Sequence, residues 1–482
     1  MVGALLVSQP RFIARWVVLG ACLIGPAACK MVGPDYRGPP SSAVVNSTAA
    51  NRAFLGGSGT VFSQEPPPNA WWHLYDSAPL DELVQEALAA NADLRQARAN
   101  LERSAALLRQ VRAQRQPSIE VNFDPSYQQL SPESYLHSGA VSPTGLYDTG
   151  IAVSYQVDLF GRLRRAVEAA SADDAAVKAA YELAQVNVAA EVARSYADVC
   201  SAGERLAVAR DSLGLQLRST GVTRRLVDAG RAPMLDFTRS SGLAAQINAN
   251  IPKLEAQRMN ALYRLAALTG QPPSEYPKSV ESCAKAPRLS QPIPIGDGTG
   301  LLRRRPDVRE AERLLATATA RIGVVTADLY PRVTLGVSAG STGALADFLT
   351  APTNRYGFGL GIHWQANESM ARARIDAANA ATRVTLAQFD SIVLAALRDT
   401  ESALTDYARG LQRDEDLAVA QARAREAEQE AEQLYRGGKI DFISLLDAQR
   451  TLDFAENELA ASHAQVAADQ ISVFLALGGG WE

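Results

Sequence analysis

Two stretches of sequence decide the fold of this chain: Asn91-Ala92-Asp93-Leu94-Arg95-Gln96-Ala97 and, 214 residues later, Arg305-Pro306-Asp307-Val308-Arg309-Glu310-Ala311. The match continues at the same offset, without a gap, as far as Gln116-Pro117-Ser118-Ile119 and Tyr330-Pro331-Arg332-Val333. Because self-similarity at a fixed spacing is typical of repeat architectures, the chain is predicted to be an internal tandem repeat.

The repeat predicts a mainly α fold with β, in which each half runs through a helix, a strand pair, a very long helix, a turn and a last helix. We expect five segments: a signal peptide at 1–28, an N-terminal anchor segment at 29–75, a first repeat at 76–270 with strands within 119–159, a proline-rich linker at 271–297, and a second repeat at 298–482 with strands within 332–365.

The four predicted strands alternate apolar and polar residues with a period of two. Their apolar positions are Ile119, Val121 and Phe123; Ile151, Val153, Tyr155, Val157 and Leu159; Val333, Leu335 and Val337; and Phe358, Leu360, Ile362 and Trp364. A half-buried sheet in a soluble protein is the commoner source of this pattern, but a barrel strand between lipid and lumen produces it too. Since the smallest membrane barrels have about eight strands, four strands per chain could form a barrel only in an oligomer.

Two predicted helices are too long for a globular domain. Proline is absent between residues 162 and 232 and again from residue 353 to the end. A single helix from about 367 to 436 would be ~105 Å long at 1.5 Å per residue. Helices of this length must pack along other helices, as in a coiled coil or a helical cylinder, and abundant alanine permits close approach.

The composition excludes several classes of protein. The 48 Lys and Arg against 52 Asp and Glu, with a pI near 5.8, argue against a nucleic-acid partner, which would need a basic face. A hydrophobic fraction of 47% with a mean hydropathy of −0.09 excludes a disordered chain. No apolar run after residue 30 approaches the ~20 residues of a membrane helix, which excludes a polytopic helical membrane protein.

The N-terminus is predicted to be an export signal. Arg11 and Arg15 precede an apolar run at 16–28, which is too short for a membrane helix and typical of a signal peptide. The run ends in small residues before Cys29, as lipoprotein signals do, and we expect Cys29 to be acylated. The alternatives are acylation of Cys22, which would leave a very short apolar run, and an ordinary secretory signal without lipid.

The remaining cysteines and the histidines indicate no metal site, no cofactor and no enzyme. Cys200 and Cys283 are distant in sequence and in dissimilar contexts, so we expect neither a disulfide framework nor a metal site from them. Metal-binding spacings, phosphate-binding loops and nucleophile elbows are absent. The four histidines are scattered, at His73, His137, His363 and His463.

Six motifs, in order along the chain, resemble those of outer-membrane efflux lipoproteins. They are Cys29-Lys30-Met31-Val32-Gly33-Pro34-Asp35-Tyr36, Trp71-Trp72 followed by Leu80-Asp81-Glu82-Leu83, Ser154-Tyr155-Gln156-Val157-Asp158-Leu159-Phe160-Gly161-Arg162, Leu301-Leu302-Arg303-Arg304-Arg305-Pro306-Asp307-Val308-Arg309, Leu446-Asp447-Ala448-Gln449-Arg450 and Ala476-Leu477-Gly478-Gly479-Gly480-Trp481. Together they resemble an outer-membrane factor of the TolC/OprM type, in the NodT-like branch.

This resemblance implies a homotrimer in which four strands per protomer build a twelve-stranded β-barrel in the outer membrane of a Gram-negative bacterium. The helices would continue the barrel as a long periplasmic α-helical barrel, with a mixed belt formed by the N-terminal segment, the linker and the C-terminus. The implied partners are outer-membrane lipid, a periplasmic adaptor protein and an inner-membrane pump of the resistance-nodulation-division (RND) class. The implied function is passive export of small molecules such as drugs, toxic compounds or metal ions.

The resemblance also implies functional positions at the periplasmic end. The adaptor-docking tips would be the helix-to-helix turns at Gly230 and Gly438, which match at an offset of 208. Glycine permits the left-handed backbone of a sharp turn.

A periplasmic gate would lie next to these tips. Asp236 and Tyr435 would hydrogen-bond across helices to keep the entrance shut, and Asp447 would form an acidic ring at the narrowest point. Ile443, four residues earlier on the same helical face, would add an apolar ring. Some relatives carry an acidic residue in place of Ser444 and an arginine in place of Ile440, so we expect fewer polar links in this gate.

Two rival functions remain open from the residues. One is an exit duct for a type I protein secretion system, and the other is a coiled-coil envelope scaffold that transports nothing. The lipoprotein start and the Gly-Gly-Gly-Trp ending favour the efflux duct over the first. Four alternating strands at equivalent places argue against the second, because a scaffold needs none.

Overall fold

The structure is a computed structural model that describes residues 31–38, 42–48, 50, 52–129, 131, 139 and 142–479. The predicted signal peptide and both candidate acylation sites, Cys22 and Cys29, lie outside the described residues. The chain divides into two compact units. One contains Glu102–Ala176 and Glu312–Gln388 with the residues up to Pro39, and the other contains Pro40–Leu101, Val177–Ala311 and the remainder from Phe389.

Both halves have the same order of elements. The first half consists of β1 (Phe62–Ser63), α1 (Ala78–Ala90), α2 (Ala92–Ala113), β2 (Ser118–Gln128), β3 (Thr144–Val157), α3 (Arg162–Asp228) and α4 (Met234–Leu268). The second half consists of β4 (Ile293–Pro294), α5 (Gly298–Arg304), α6 (Pro306–Thr326), β5 (Arg332–Ala344), β6 (Asn354–His363), α7 (Glu368–Arg436) and α8 (Phe442–Ala476). The predicted fold class, mainly α with β, is confirmed.

The helices α3 and α7 have 67 and 69 residues, so each is about 100 Å long. Three glycines in α3, at Gly203, Gly214 and Gly221, do not interrupt it. Among the described helices, α7 alone contains an 18-residue stretch, with a mean hydropathy of 1.2, that could cross a membrane by composition. A span needs ~20 residues, so the length of α7 requires another explanation.

The four longer strands form one antiparallel sheet in the order β2-β3-β5-β6. Ile119 pairs with Val153, Val153 pairs with Val337, and Val337 pairs with Phe358, so one apolar row crosses the whole sheet. The strands extend past the alternating pattern toward their hairpins. Leu159 and Trp364, predicted as strand residues, lie beyond the strand ends.

The two faces of this sheet differ in chemistry. Because side chains alternate, the apolar residues of all four strands share one face, and they are largely exposed in the single chain. The opposite face carries polar and small residues. On β6 that face consists largely of Gly357, Gly359 and Gly361, which have no side chain.

The second unit has its core where the N-terminal segment, the linker and the C-terminus meet. Trp71, buried to 1% exposure, stacks on Phe474 with ring centroids 4.7 Å apart. A Cβ on Gly479 would lie 2.8 Å from the Trp71 ring, so only glycine fits there. Strand β1 pairs in parallel with β4, which places the linker in the same core.

One expectation drawn from the cysteines is wrong: Cys200 and Cys283 form a disulfide, with Cα atoms 4.7 Å apart. The linker after α4 folds back onto α3, and this return brings together two residues that are 83 positions apart. Sequence distance carries no information about such a return. In the chain-entropy model, closing a loop of this size stabilises the fold by roughly 4–5 kcal/mol.

A charged network lies beside the disulfide. The Nδ1 atom of His463 on α8 is 2.7 Å from Glu204 Oε1 on α3, and Nε2 is 3.7 Å from Asp414 Oδ1 on α7. The Asp414 side chain is 5% exposed, and its other oxygen accepts a hydrogen bond from Arg288 Nη1 at 2.9 Å. The hydrogen bond to Glu204 raises the pKa of His463, and the charges of Glu204 and Asp414 raise it further. Burial lowers this pKa, but its effect is smaller than theirs combined.

Protonated His463 should therefore stabilise the folded protein. Because the folded state holds this proton more tightly, the contribution is complete below the ordinary histidine pKa of about 6.5 and is lost as pH rises through the higher folded-state pKa. We expect the melting temperature in detergent to fall more steeply from about pH 6 to pH 9 in the wild type than in His463→Gln, which does not titrate. Parallel slopes in thermal melts followed by circular dichroism would contradict this prediction.

Candidate functional site

A tight turn ends helix α3 before α4 begins. The N–H of Gly230 donates to the Val227 carbonyl at 2.9 Å, and the N–H of Arg231 donates to the Leu226 carbonyl at 2.8 Å. Gly230 has a φ of +69°, in the left-handed region. This pair of bonds around a left-handed glycine satisfies the last carbonyls of the helix.

The turn between α7 and α8 repeats this geometry. The N–H of Gly438 donates to the Tyr435 carbonyl at 3.0 Å, and the N–H of Lys439 donates to the Leu434 carbonyl at 2.9 Å. Gly438 also has a φ of +69°. A Cβ at either glycine would have no atom within 4 Å, so both turns are open to solvent in the single chain.

The helices that follow the two turns begin differently. Asp441 caps α8: its Oδ1 accepts the Ser444 N–H at 2.9 Å and the Ser444 hydroxyl at 2.6 Å. These bonds hold the pKa of Asp441 below its usual value. Pro233 precedes α4 and provides no side-chain cap. Ser444, where some relatives carry an acidic residue, thus contributes to the cap of α8.

An apolar cluster joins the helices next to the turns. Leu243 and Ile247 on α4 pack with Phe442 and Leu446 on α8, and all four are buried. The partly buried Leu213 of α3 and Tyr435 of α7 pack against them, so all four helices meet here. The ring of Tyr435 stands edge-on to Phe442, with centroids 5.8 Å apart.

Asp236 and Tyr435 lie close enough to interact electrostatically. Burial raises the pKa of Tyr435, and the negative charge of Asp236 raises it further. Within one chain, no hydrogen bond joins the two side chains among the described residues. The structure therefore brings the two predicted gate residues into the same region without linking them directly.

Ile443 and Asp447 share the exposed face of α8. Both are exposed, whereas Leu445 and Leu446 between them are buried in the chain. The spacing of four residues places an apolar and an acidic side chain one helical turn apart on the same surface. In the part of the chain that the structure describes, no group of three or more His, Cys, Asp or Glu residues could hold a metal.

A buried polar link between α3 and α4 was not predicted from the sequence. Gln216, 3% exposed, donates from Nε2 to the Ser240 hydroxyl at 2.9 Å and to the Ser240 carbonyl at 3.2 Å. The Thr220 hydroxyl is 2.7 Å from the same Ser240 hydroxyl. The spacing of four between Gln216 and Thr220 places both on one helical face, which is the signal that could have revealed them.

The comparison with known protein families matches both halves of the chain. The model of the family described as outer membrane efflux protein matches residues 83–271 and 300–479. The two matched segments correspond to the two repeats, and the gap between them falls in the linker and the start of α5.

Individual relatives cover nearly the whole chain. The pyoverdine export outer membrane protein OpmQ of Pseudomonas putida is 29% identical over 469 residues, which is 94% of this chain and 95% of that protein. Nodulation protein T of Rhizobium leguminosarum is 26% identical over 466 residues, covering 94% and 91%.

A solved structure shares both fold and sequence with this chain. The outer-membrane channel OprN matches with a TM-score of 0.86 and 33% identity, over 93% of this chain and 99% of that one. Since the family model covers most of the sequence in two ordered halves, the chain belongs to the outer membrane efflux protein family and is an outer-membrane exit duct of an efflux system.

Proposed function

We propose that three copies of this chain form one continuous duct, with a twelve-stranded barrel in the outer membrane and a helical tunnel in the periplasm. The observation that carries this proposal is the four-stranded sheet with two unpaired edges, joined directly to helices about 100 Å long. Among the described residues, β2 and β6 have no partner strand on their outer sides.

The unpaired edges require other copies of the chain. Backbone N–H and C=O groups in lipid must be hydrogen-bonded, so an open sheet edge cannot face the bilayer. The strands alternate in direction from β2 to β6, so β6 of one copy can pair antiparallel with β2 of the next. One chain supplies too few strands for a barrel. The family resemblance favours three copies, and the apolar face of the sheet then faces lipid.

The proposed gate lies where α3, α4, α7 and α8 meet. The apolar cluster of α4 and α8 residues described above would hold these helices together. Beside it, Asp236 and Tyr435 would keep the entrance closed. Three copies of Ile443 and Asp447, exposed on one face of α8, would form an apolar ring and a carboxylate ring. An acidic ring favours the passage of cations.

The proposed docking tips are the two turns at Gly230 and Gly438. The two turns have the same backbone geometry and are both open to solvent, but they carry different side chains. A periplasmic adaptor could therefore bind each turn in a different way. An adaptor bound there would connect the duct to an inner-membrane pump of the RND class. The family resemblance implies that transport through the channel is passive.

The proposed cargo is a small molecule. OpmQ is described by its export of pyoverdine, and another relative, of Pseudomonas putida, by efflux of toluene. We infer that this duct carries small organic molecules that are selected by its pump.

The residues after Cys29 support a lipid anchor at the membrane face. Arg165, whose side chain is 1% exposed, donates to the carbonyls of Val32 and Gly33 and to Asp35, which holds the segment at the start of α3. Because α3 begins five residues after the end of β3, Val32, whose N–H donates to the Phe160 carbonyl, lies near the end of the sheet. We propose that the acylated Cys29 anchors the chain at the same membrane face.

Opening the proposed gate should raise conductance. Replacing Asp236 with Ala, or Tyr435 with Phe, removes one side of a polar restraint, so we expect a severalfold increase in single-channel conductance in planar bilayers. Glu255→Ala is the matched control, because Glu255 is an exposed carboxylate on the same helix that pairs with Arg210 away from the tip. Unchanged conductance in both gate variants would refute the gate assignment.

Bulk at the tip should prevent docking. Gly438→Trp adds a large side chain at an open position, so we expect loss of tolerance to toxic small molecules with an unchanged amount of trimer. Gly438→Asn is the control, because asparagine tolerates the left-handed conformation and adds little bulk. Normal tolerance in Gly438→Trp would remove the docking role, and loss of polypeptide secretion instead would support the type I alternative.

Lipidation is tested directly. Cys29→Ala should abolish incorporation of radiolabelled palmitate, because it removes the thiol that carries the diacylglycerol. Cys22→Ala serves as the matched control and should leave the label intact. If Cys29→Ala retains its label, the acylated residue is Cys22.

A further inference from the structure

The linker at 271–297 is fastened to one face of α3 at three successive points. Cys200, Gly203 and Glu204 are spaced i, i+3 and i+4, so they lie on the same side of the helix. Cys200 and Gly203 contact Cys283, and Glu204 contacts Ala286. These contacts make one face of α3 a docking surface for the linker.

The first point is the covalent bond between Cys200 and Cys283. Cys200 is fully buried, and the Cys283 residue is partly exposed. Once the linker is in place, the sulfur atom on α3 is therefore shielded from solvent.

The second point is Gly203, where the linker backbone contacts the helix. A Cβ at this position would lie 2.0 Å from the carbonyl oxygen of Cys283 and 3.0 Å from its carbonyl carbon. These are backbone atoms, which cannot move aside as a flexible side chain can. Any residue larger than glycine would push the linker away from α3 and separate the two sulfur atoms.

The third point is Glu204, which connects the linker to α8. One carboxylate oxygen accepts the N–H of Ala286 at 2.9 Å, and the other lies 2.7 Å from His463 on α8. Arg288, two residues farther along the linker, donates to Asp414 on α7. The same short segment of linker thus contacts α3 and α7 directly, and Glu204 connects it to α8.

We propose that Cys200 and Cys283 are a modification site for a periplasmic dithiol oxidase, and that their oxidation locks the linker onto α3 and α7. In this reaction the two thiols lose two protons and two electrons and form one S–S bond. The disulfide of the oxidase accepts the two electrons and two protons and becomes a pair of thiols. A protein exported to the outer membrane passes through this oxidising compartment.

The lock should be visible as protection of the linker from protease. Lys278, Lys285 and Arg288 are trypsin sites within the linker. We expect slow cleavage there in the oxidised wild type, and at least tenfold faster cleavage in Cys200→Ser/Cys283→Ser and in wild type reduced with dithiothreitol after folding. Equal cleavage rates in oxidised and reduced wild type would overturn the proposed lock, and this comparison does not depend on whether the variant folds.

The thiol state is measured with a maleimide that adds mass. Using Cys200→Ser/Cys283→Ser as the baseline, wild type should gain two labels only after denaturation and reduction. In cells that lack the periplasmic thiol oxidase, it should gain them without reduction. Two labels in unreduced wild type from normal cells would refute the modification, and full oxidation without the oxidase would refute the proposed partner.

A pair of glycine variants separates docking from the thiol chemistry. Gly203→Ala leaves both cysteines in place but obstructs the linker, so most of the chain should keep free thiols. Gly214→Ala is the matched control on the same helix, because its Cβ would meet nothing closer than the Arg218 guanidinium at 3.7 Å. Complete disulfide formation in Gly203→Ala would show that the contact at Gly203 does not position the linker.

Discussion

The constraint on which the structure depends is that lipid offers no hydrogen bonds to a peptide backbone. The sheet of this chain satisfies its inner strands and leaves β2 and β6 open. An isolated copy is therefore incompatible with the bilayer, and assembly and membrane insertion become parts of one requirement. The duplication meets this requirement economically, because one hairpin per repeat supplies half of each protomer's sheet.

The helices follow from a second physical limit. A helix 67 or 69 residues long cannot bury itself within its own domain, and the described cores are correspondingly local. The largest core forms where the N-terminal segment, linker and C-terminus meet, and a smaller one lies next to the turns. Between these cores the surfaces of α3 and α7 are rich in small and charged residues, which suits contact with neighbouring helices and water.

The sequence predicted the regular parts of this molecule and missed the contacts that depend on chain return. Alternation at Val153 and Val337 reports a sheet face directly, and the offset between Gly230 and Gly438 identifies two equivalent turns, because both signals are local. The disulfide of Cys200 depends on where the linker folds back, and the bond from Gln216 to Ser240 depends on how two helices are rotated. Neither contact produces a periodic pattern in the sequence. The gate positions were predicted from the family resemblance, because no pattern in the sequence marks them. The structure shows the residues that surround Tyr435 within one copy of the chain.

The bare face of β6 has a consequence for what passes the barrel. Gly357, Gly359 and Gly361 leave an inner wall of peptide groups in this strip, with no side chain to attract or exclude a particular molecule. Peptide dipoles on a strand alternate in direction and present little net field. In the proposed trimer, three such strips would lie beside strands that carry charged side chains on the same face, among them Glu120 and Asp148. A molecule in the barrel would therefore meet bare backbone along β6 and charged side chains along β2 and β3.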